Sequence, residues 1–225
     1  MSYKIQNLCN PSLKDQLENI WAQYTQLGGH KMVPPLYQDA DVCEDVITFL
    51  SLNPSDPTTT YKSYSMIDFK EKPKHPFFDK FYEITKSEKI LLKNSEQNWS
   101  ILDLLYIRDS DQKQIEDLYK EDTGKMFITQ QADLTLEILE KIRPKLVIVV
   151  NASVEHLLIS NPAFVKGTNH PDDSNSNIYR YKDIPFIMRE SKFMGSRIKW
   201  YSKSKNATDR KEKLYAEINR VLSFI

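Results

Sequence analysis

Apolar residues recur along the chain with two different patterns, and each pattern predicts one kind of element. Between residues 11 and 27 they fall every three to four positions, as along one face of an amphipathic helix, and Gly28-Gly29 ends the pattern. Similar spacing predicts further helices at 76–86, 130–142, 151–159 and 209–224. Short continuous apolar runs instead predict buried strands at 46–52, 99–106, 145–150 and 184–188.

Strands that alternate with helical stretches favour an α/β fold. We expect a three-layer α/β/α sandwich around a small, mainly parallel sheet of four strands. A chain of 225 residues has the length of one substantial domain. We therefore expect a single domain over residues 1–225, with residues 1–29 as an N-terminal helical extension. The polar stretch at 56–74 has the length of a binding loop.

The composition of the chain bears on its location in the cell and on its need for a metal or cofactor. Charged residues make up 28% of the chain, and no apolar run approaches the roughly 20 residues that a membrane span requires. The first residues lack the apolar core of a secretory signal. Cys9 and Cys43 stand alone, and the four His residues do not fall at metal-ligand spacings. We expect a cytoplasmic monomer that needs no metal and no organic cofactor.

Positive charge is concentrated near the C-terminus, although the formal net charge is zero. Residues 189–213 hold nine Lys or Arg against three acids, a local excess of +6. Phe193, Trp200 and Tyr201 lie between these cations. Such a segment fits contact with a phosphate backbone and stacking on bases, so we expect a nucleic-acid partner. A solvated charged surface is the alternative explanation.

Two predicted strands end in asparagine. Asn53 precedes Pro54 after the strand at 46–52, and Asn151 follows the strand at 145–150. Ligands of open parallel sheets bind beyond the carboxyl ends of the strands, so we expect both residues to face one crevice. The alternative is a helix cap or a turn residue, which is the favoured interpretation for Asn151. For Asn53 the alternatives are balanced, because Pro54 restricts the preceding backbone and fixes where the amide points.

Several common enzyme motifs are absent from the chain. It contains neither Gly-x-Gly-x-x-Gly nor Gly-x4-Gly-Lys-Ser/Thr, the glycine-rich loops that hold dinucleotides and nucleoside triphosphates. It also lacks the Gly-x-Ser-x-Gly elbow of α/β-hydrolases. These absences argue against three common chemistries of α/β proteins.

Four motifs resemble, in their order and spacing, those of the uracil-DNA glycosylase superfamily. They lie within residues 45–200 and read LNPS at 52–55, PF at 76–77, ILDLLYIR at 101–108 and IRPKLVIVV at 142–150. The resemblance implies a small parallel sheet between helix layers. It also implies a DNA glycosylase that extrudes a damaged base and hydrolyses its N-glycosidic bond without a metal or organic cofactor.

The resemblance implies a role for each matching residue. Asn53 is similar to the Asn of the Asn-Pro-Gly motif in the mismatch-specific and single-strand-selective branches, which orients the attacking water. Phe77 or Phe78 would stack on the extruded base, and Asp103 and Asn151 would complete the base site. For the Phe pair, the alternative role is packing in the core. For Asp103, the alternative role is capping a turn. The residues that would contact single- or double-stranded DNA are Ser55, Arg189, Ser191, Lys192, Met194, Arg197, Lys199 and Lys203.

The chain departs from the family pattern at three sites. Ser55 stands where Gly is usual, and residues 189–191 read Arg-Glu-Ser where a His-Pro-Ser-like motif is expected. Asp103 stands where an Asn commonly reads uracil. An ionised Asp only accepts hydrogen bonds, so uracil should be a poor substrate. These departures favour an alternative, a catalytically inactive relative that binds nucleic acid, a nucleotide or another protein.

Overall fold

The structure is a computed structural model that describes residues 2–38, 41–43, 46–53, 63–64, 78–92, 99–108, 112–167, 178–188 and 205–224. Its strands are β1 (Ser2–Lys4), β2 (Tyr37–Gln38), β3 (Asp41–Cys43), β4 (Ile47–Ser51), β5 (Ser63–Tyr64), β6 (Trp99–Asp103), β7 (Leu146–Val149), β8 (Phe164–Lys166), β9 (Ile178–Tyr181) and β10 (Ile184–Ile187). Its α-helices are α1 (Leu13–Gln26), α2 (Phe78–Thr85), α3 (Gln112–Leu118), α4 (Asp122–Ile142), α5 (Ala152–Ile159) and α6 (Lys205–Leu222).

The main sheet has the strand order β6-β4-β7-β10-β9-β8. β4 pairs with β7 in parallel, with Leu50 opposite Val149, and β7 pairs in parallel with β10. β10, β9 and β8 are antiparallel neighbours. Every residue of β4, β7 and β10 is buried, as expected for central strands that are covered on both faces. The α/β class predicted from the sequence is therefore confirmed.

The prediction of four strands in a mainly parallel sheet is wrong, because this sheet has six strands and mixed pairing. The four predicted strands are present as β4, β6, β7 and β10. The two additional strands, β8 and β9, are short and largely half-buried or exposed, and they lie in a part of the chain for which no strand was predicted. A hairpin turn with Lys182 at positive φ brings β9 alongside β10.

The chain divides into two compact units that alternate along the sequence. The first contains Met1–Cys43, Leu52–Pro73 and Leu102–Ile142; the second contains Glu44–Ser51, Lys74–Ile101 and Arg143–Ile225. β6 passes from the second unit into the first at Leu102. The single domain expected from the sequence stays a prediction.

In the first unit, α1 packs against α4. The hydroxyl of Ser12 accepts a hydrogen bond from the Asp15 amide and caps α1. Gly28 has a φ of 87° and ends the helix. Its amide donates to the Thr25 carbonyl and the Gly29 amide donates to the Tyr24 carbonyl, which is the arrangement of a Schellman motif. The Tyr24 ring stacks on Phe127 of α4 with centroids 4.3 Å apart. Four of the five residues of the predicted apolar face are buried, and the fifth, Trp21, is half-buried; the four are Leu13, Leu17, Ile20 and Tyr24.

In the second unit, α6 packs on β7 and β10, and α2 covers β4 through a stack of Phe81 on Phe49. Lys211 of α6 pairs with Glu83 of α2, and Lys89 pairs with Glu212. No helix among the described residues is both long and apolar enough to cross a membrane. α4 begins at Asp122, eight residues before the predicted start, and α3 was not predicted at all.

Candidate functional site

Asn53 lies two residues beyond the end of β4. Its half-buried side chain forms a hydrogen bond with a residue that is 54 positions further along the chain. Its Nδ2 donates a hydrogen bond to the Ile107 carbonyl at 2.9 Å. The preceding residue, Leu52, accepts a bond from the Leu105 amide at 2.8 Å. Because Nδ2 and Oδ1 share one planar amide group, the bond to Ile107 also fixes the direction of Oδ1. The strand end therefore presents an oriented amide.

Residues 104–107, the stretch that binds the Asn53 side chain, come directly after β6. They are buried, but they are not part of a regular strand. Backbone groups in such a place need other partners, because an unpaired buried amide or carbonyl is costly. The Leu104 carbonyl accepts from the Thr135 hydroxyl at 3.1 Å, and the Tyr106 amide donates to Gln131 Oε1 at 2.9 Å. The Tyr106 carbonyl accepts from the Leu36 amide at 3.1 Å. Side chains of α4 thus replace part of a strand ladder.

The Tyr106 side chain belongs to this scaffold rather than to proton transfer. Burial raises the pKa of its phenol well above the usual range, and the hydrogen bond with Thr135 at 3.0 Å offsets only part of that shift. Burial likewise raises the pKa of the Cys9 thiol, an effect that Lys141 reduces. Both groups stay neutral near neutral pH, so neither provides a base or a thiolate nucleophile.

Arg108 follows Ile107 directly, and only 6% of its surface is exposed. A guanidinium is always protonated in proteins, and removing it from water carries a large desolvation cost. Among cationic side chains, arginine is the best suited to binding an anion in a buried place, because its planar fork of donors matches carboxylate and phosphate groups. The sequence interpretation missed Arg108; the available signal was a single cation that ends the apolar run at 104–107.

The structure supports a structural role for Asn151. Its Oδ1 accepts a hydrogen bond from the Ser153 amide at 2.8 Å and caps α5, which confirms the cap interpretation. The contact of Asn151 with a nucleic-acid base stays a prediction. Such a contact would have to be made while Oδ1 accepts from Ser153. Asp103 ends β6 and is half-buried, and its carbonyl accepts from Thr135 at 3.2 Å. Asn53, Asp103 and Arg108 belong to the first unit, whereas Asn151 belongs to the second.

Most of the other predicted site residues lie outside the residues that the structure describes. Phe78 begins α2, but its side chain is outside the described part of the molecule. The core packing considered for this helix is provided by Phe81 and Ile84, which are both buried. The predicted site residues that lie outside the described residues are Ser55, Phe77, Arg189, Ser191, Lys192, Met194, Arg197, Lys199 and Lys203.

Across the described ranges, no group of three or more His, Cys, Asp or Glu side chains is arranged to hold a metal ion. Comparison of the chain with models of known protein families and with curated proteins finds no match. A functional assignment therefore depends on the four motifs of the sequence and on the geometry around Asn53.

Proposed function

We propose that this protein is a divergent member of the uracil-DNA glycosylase superfamily, with the three-layer α/β/α arrangement of that family. On this proposal it hydrolyses the N-glycosidic bond of a base extruded from DNA. The observation that supports it best is the hydrogen bond from Asn53 Nδ2 to the Ile107 carbonyl. It orients a polar amide beyond a central parallel strand, where α/β folds bind ligands, and it joins two of the motifs that carry the resemblance.

Hydrolysis of the N-glycosidic bond does not require Asn53 to act as a strong base. As the glycosidic bond breaks, its electron pair leaves with the base and the sugar becomes an oxocarbenium-like cation. A water molecule held by Asn53 Oδ1 attacks C1′ and releases a proton to solvent. Holding the water in line is the catalytic contribution, and accurate positioning of a reactant removes a large entropic part of a barrier.

Arg108 and Asp103 would act on the base. The positive charge of Arg108, one residue beyond Ile107, would stabilise negative charge that develops on the departing base. Asp103, as a carboxylate, would accept from an exocyclic amino group, so a base that presents such a group is the preferred substrate class.

DNA is the proposed partner, because the basic and aromatic segment at 189–213 fits a phosphate backbone and stacked bases. A cytoplasmic location and a monomeric state stay predictions.

Single-turnover assays test this proposal directly. The parent would be incubated with oligonucleotides that carry uracil, hypoxanthine or 3-methyladenine, each in single- and double-stranded form. We expect cleavage of at least one lesion and a rate at least about tenfold lower for Asn53→Ala, with DNA affinity nearly unchanged. Asn161→Ala is the matched control, since Asn161 bonds only locally, to the Ala163 amide at 3.0 Å, among the contacts described. Equal rates for the parent and Asn53→Ala would contradict the role of Asn53.

A second function is favoured by the Arg-Glu-Ser sequence at 189–191 in place of the His-Pro-Ser-like motif. In that case the protein binds nucleic acid without cleaving it. Salt-sensitive DNA binding by a parent that processes no lesion would support this alternative over the glycosylase.

A further inference from the structure

Gln131 is an uncharged amide buried completely within the apolar face of α4. Its Nε2 donates to the Phe127 carbonyl at 3.1 Å, one turn earlier in the same helix, and its Oε1 accepts from the Tyr106 amide at 2.9 Å. A carbonyl can only accept and a backbone amide can only donate. The two partners therefore determine the orientation of the Gln131 amide without ambiguity.

Gln131 and Asn53 hold consecutive residues of the same buried stretch. Gln131 binds the amide of Tyr106, and Asn53 binds the carbonyl of Ile107, the next residue in the chain. The bond between Leu105 and Leu52 ties the same stretch to the residue that precedes Asn53. A shift of the Tyr106 amide would thus move the carbonyl that orients Asn53.

We propose that Gln131 is a positioning residue that sets the orientation of the Asn53 amide through residues 106 and 107. The catalytic consequence rests on the proposed function, whereas the structural link does not. Gln131 itself touches no substrate. A purely structural Gln131 would change stability and leave the Asn53 amide as it is, and this difference separates the two roles.

The test variant is Gln131→Met, which keeps the length and approximate volume of the side chain but removes both hydrogen bonds. Its matched control is Gln130→Met. Gln130 is the neighbouring residue on the same helix, and its Nε2 donates to Gln23 Oε1 at 3.0 Å, away from residues 104–107. Both variants lose a glutamine hydrogen bond, but only one of them releases Tyr106.

The first readout needs no activity. In a ¹⁵N-labelled protein, the side-chain amide of Asn53, assigned by its absence in Asn53→Ala, should exchange with solvent at least about tenfold faster in Gln131→Met than in the parent. Gln130→Met should leave the exchange unchanged. Unchanged Asn53 exchange in a folded Gln131→Met would overturn the proposal.

The second readout is the single-turnover rate. Gln131→Met should lower it by about ten- to a hundredfold, because small displacements of a positioned group are costly, and should leave DNA affinity unchanged. In the Asn53→Ala background the same substitution should cause almost no further loss. A full additional loss in that background would overturn the proposal. A parent that cleaves no lesion would refute the proposed function, and the exchange measurement would still decide the role of Gln131.

A measurement on the parent alone covers the case in which Gln131→Met does not fold. If one opening event releases both groups, the Tyr106 backbone amide and the Asn53 side-chain amide should show the same opening free energy by hydrogen exchange across a urea series. Clearly different opening energies, with different urea dependence, would overturn the proposal.

Discussion

The substitution Asn53→Asp tests the geometry at the end of β4 most directly, because it replaces a hydrogen-bond donor with an acceptor of nearly the same shape. The Ile107 carbonyl, on a residue that is 1% exposed, now accepts from Asn53 Nδ2. An ionised carboxylate would instead face that carbonyl with no proton between them. Leaving a buried acceptor unsatisfied costs about 1–3 kcal/mol.

The loss should depend on pH with a definite sign. A protonated carboxyl can still donate to the Ile107 carbonyl, so the folded state should raise the pKa of the introduced group above its unfolded value of about 3.9. At pH values below the unfolded pKa, the variant should approach the stability of the parent. Its stability should fall as the pH rises through the pKa of the folded state. Each unit of pKa shift corresponds to about 1.4 kcal/mol, so a shift of one to two units matches the cost of the unsatisfied carbonyl.

Urea unfolding of the parent and the variant between about pH 3.5 and pH 8 provides the measurement. Asn161→Asp is the control, since Asn161 uses its oxygen to accept from Ala163, and a carboxylate accepts equally well. It should show no such loss at neutral pH. If Asn53→Asp were as stable as the parent at pH 8, Nδ2 of Asn53 would not be holding Ile107.

Three further predictions concern substrate choice, packing and DNA binding. Asp103→Asn should gain activity on uracil-containing DNA relative to the parent, since an Asn supplies the missing donor and one base-edge contact is worth about 1–3 kcal/mol; efficient uracil removal by the parent at neutral pH would refute this. Gly124→Ala should lower the urea midpoint, because the added methyl would lie 2.8 Å from the Leu118 carbonyl carbon and closer still to its oxygen; an unchanged midpoint would show that α3 and α4 can separate at no cost. Replacing the cations Arg197, Lys199 and Lys203 together with neutral residues should weaken DNA binding about equally for all sequences. A salt titration should also show a smaller salt dependence. If the triple variant bound DNA as tightly as the parent at low salt, these residues would not form the DNA-binding surface.

Elements whose signals are local could be predicted from the sequence. The helix α1 follows from a spacing that buries Leu13 and Leu17 on one face and from the positive φ that Gly28 allows at its end. The strands β4 and β7 follow from β-branched and apolar runs that only a covered sheet can bury. The cap formed by Asn151 follows in the same way, because its partner is two residues away.

The candidate site was only half predictable. The sequence indicated Asn53 because of its position after a buried strand, but not its partner, which is 54 residues away along the chain. It offered no reason to connect Gln131 with Tyr106, or to expect Arg108 to be buried.

The number of strands in the sheet was likewise decided by the tertiary structure. β8 and β9 are short, and most of their residues are half-buried or exposed, so their burial gives no strong local signal. The turn at Lys182 pairs β9 with β10, and β8 then pairs with β9. Periodicity, caps and turn residues act between neighbours in the chain, so the sequence by itself determined those elements. The hydrogen bonds that orient Asn53 join distant residues, and their partners meet only once the chain has folded.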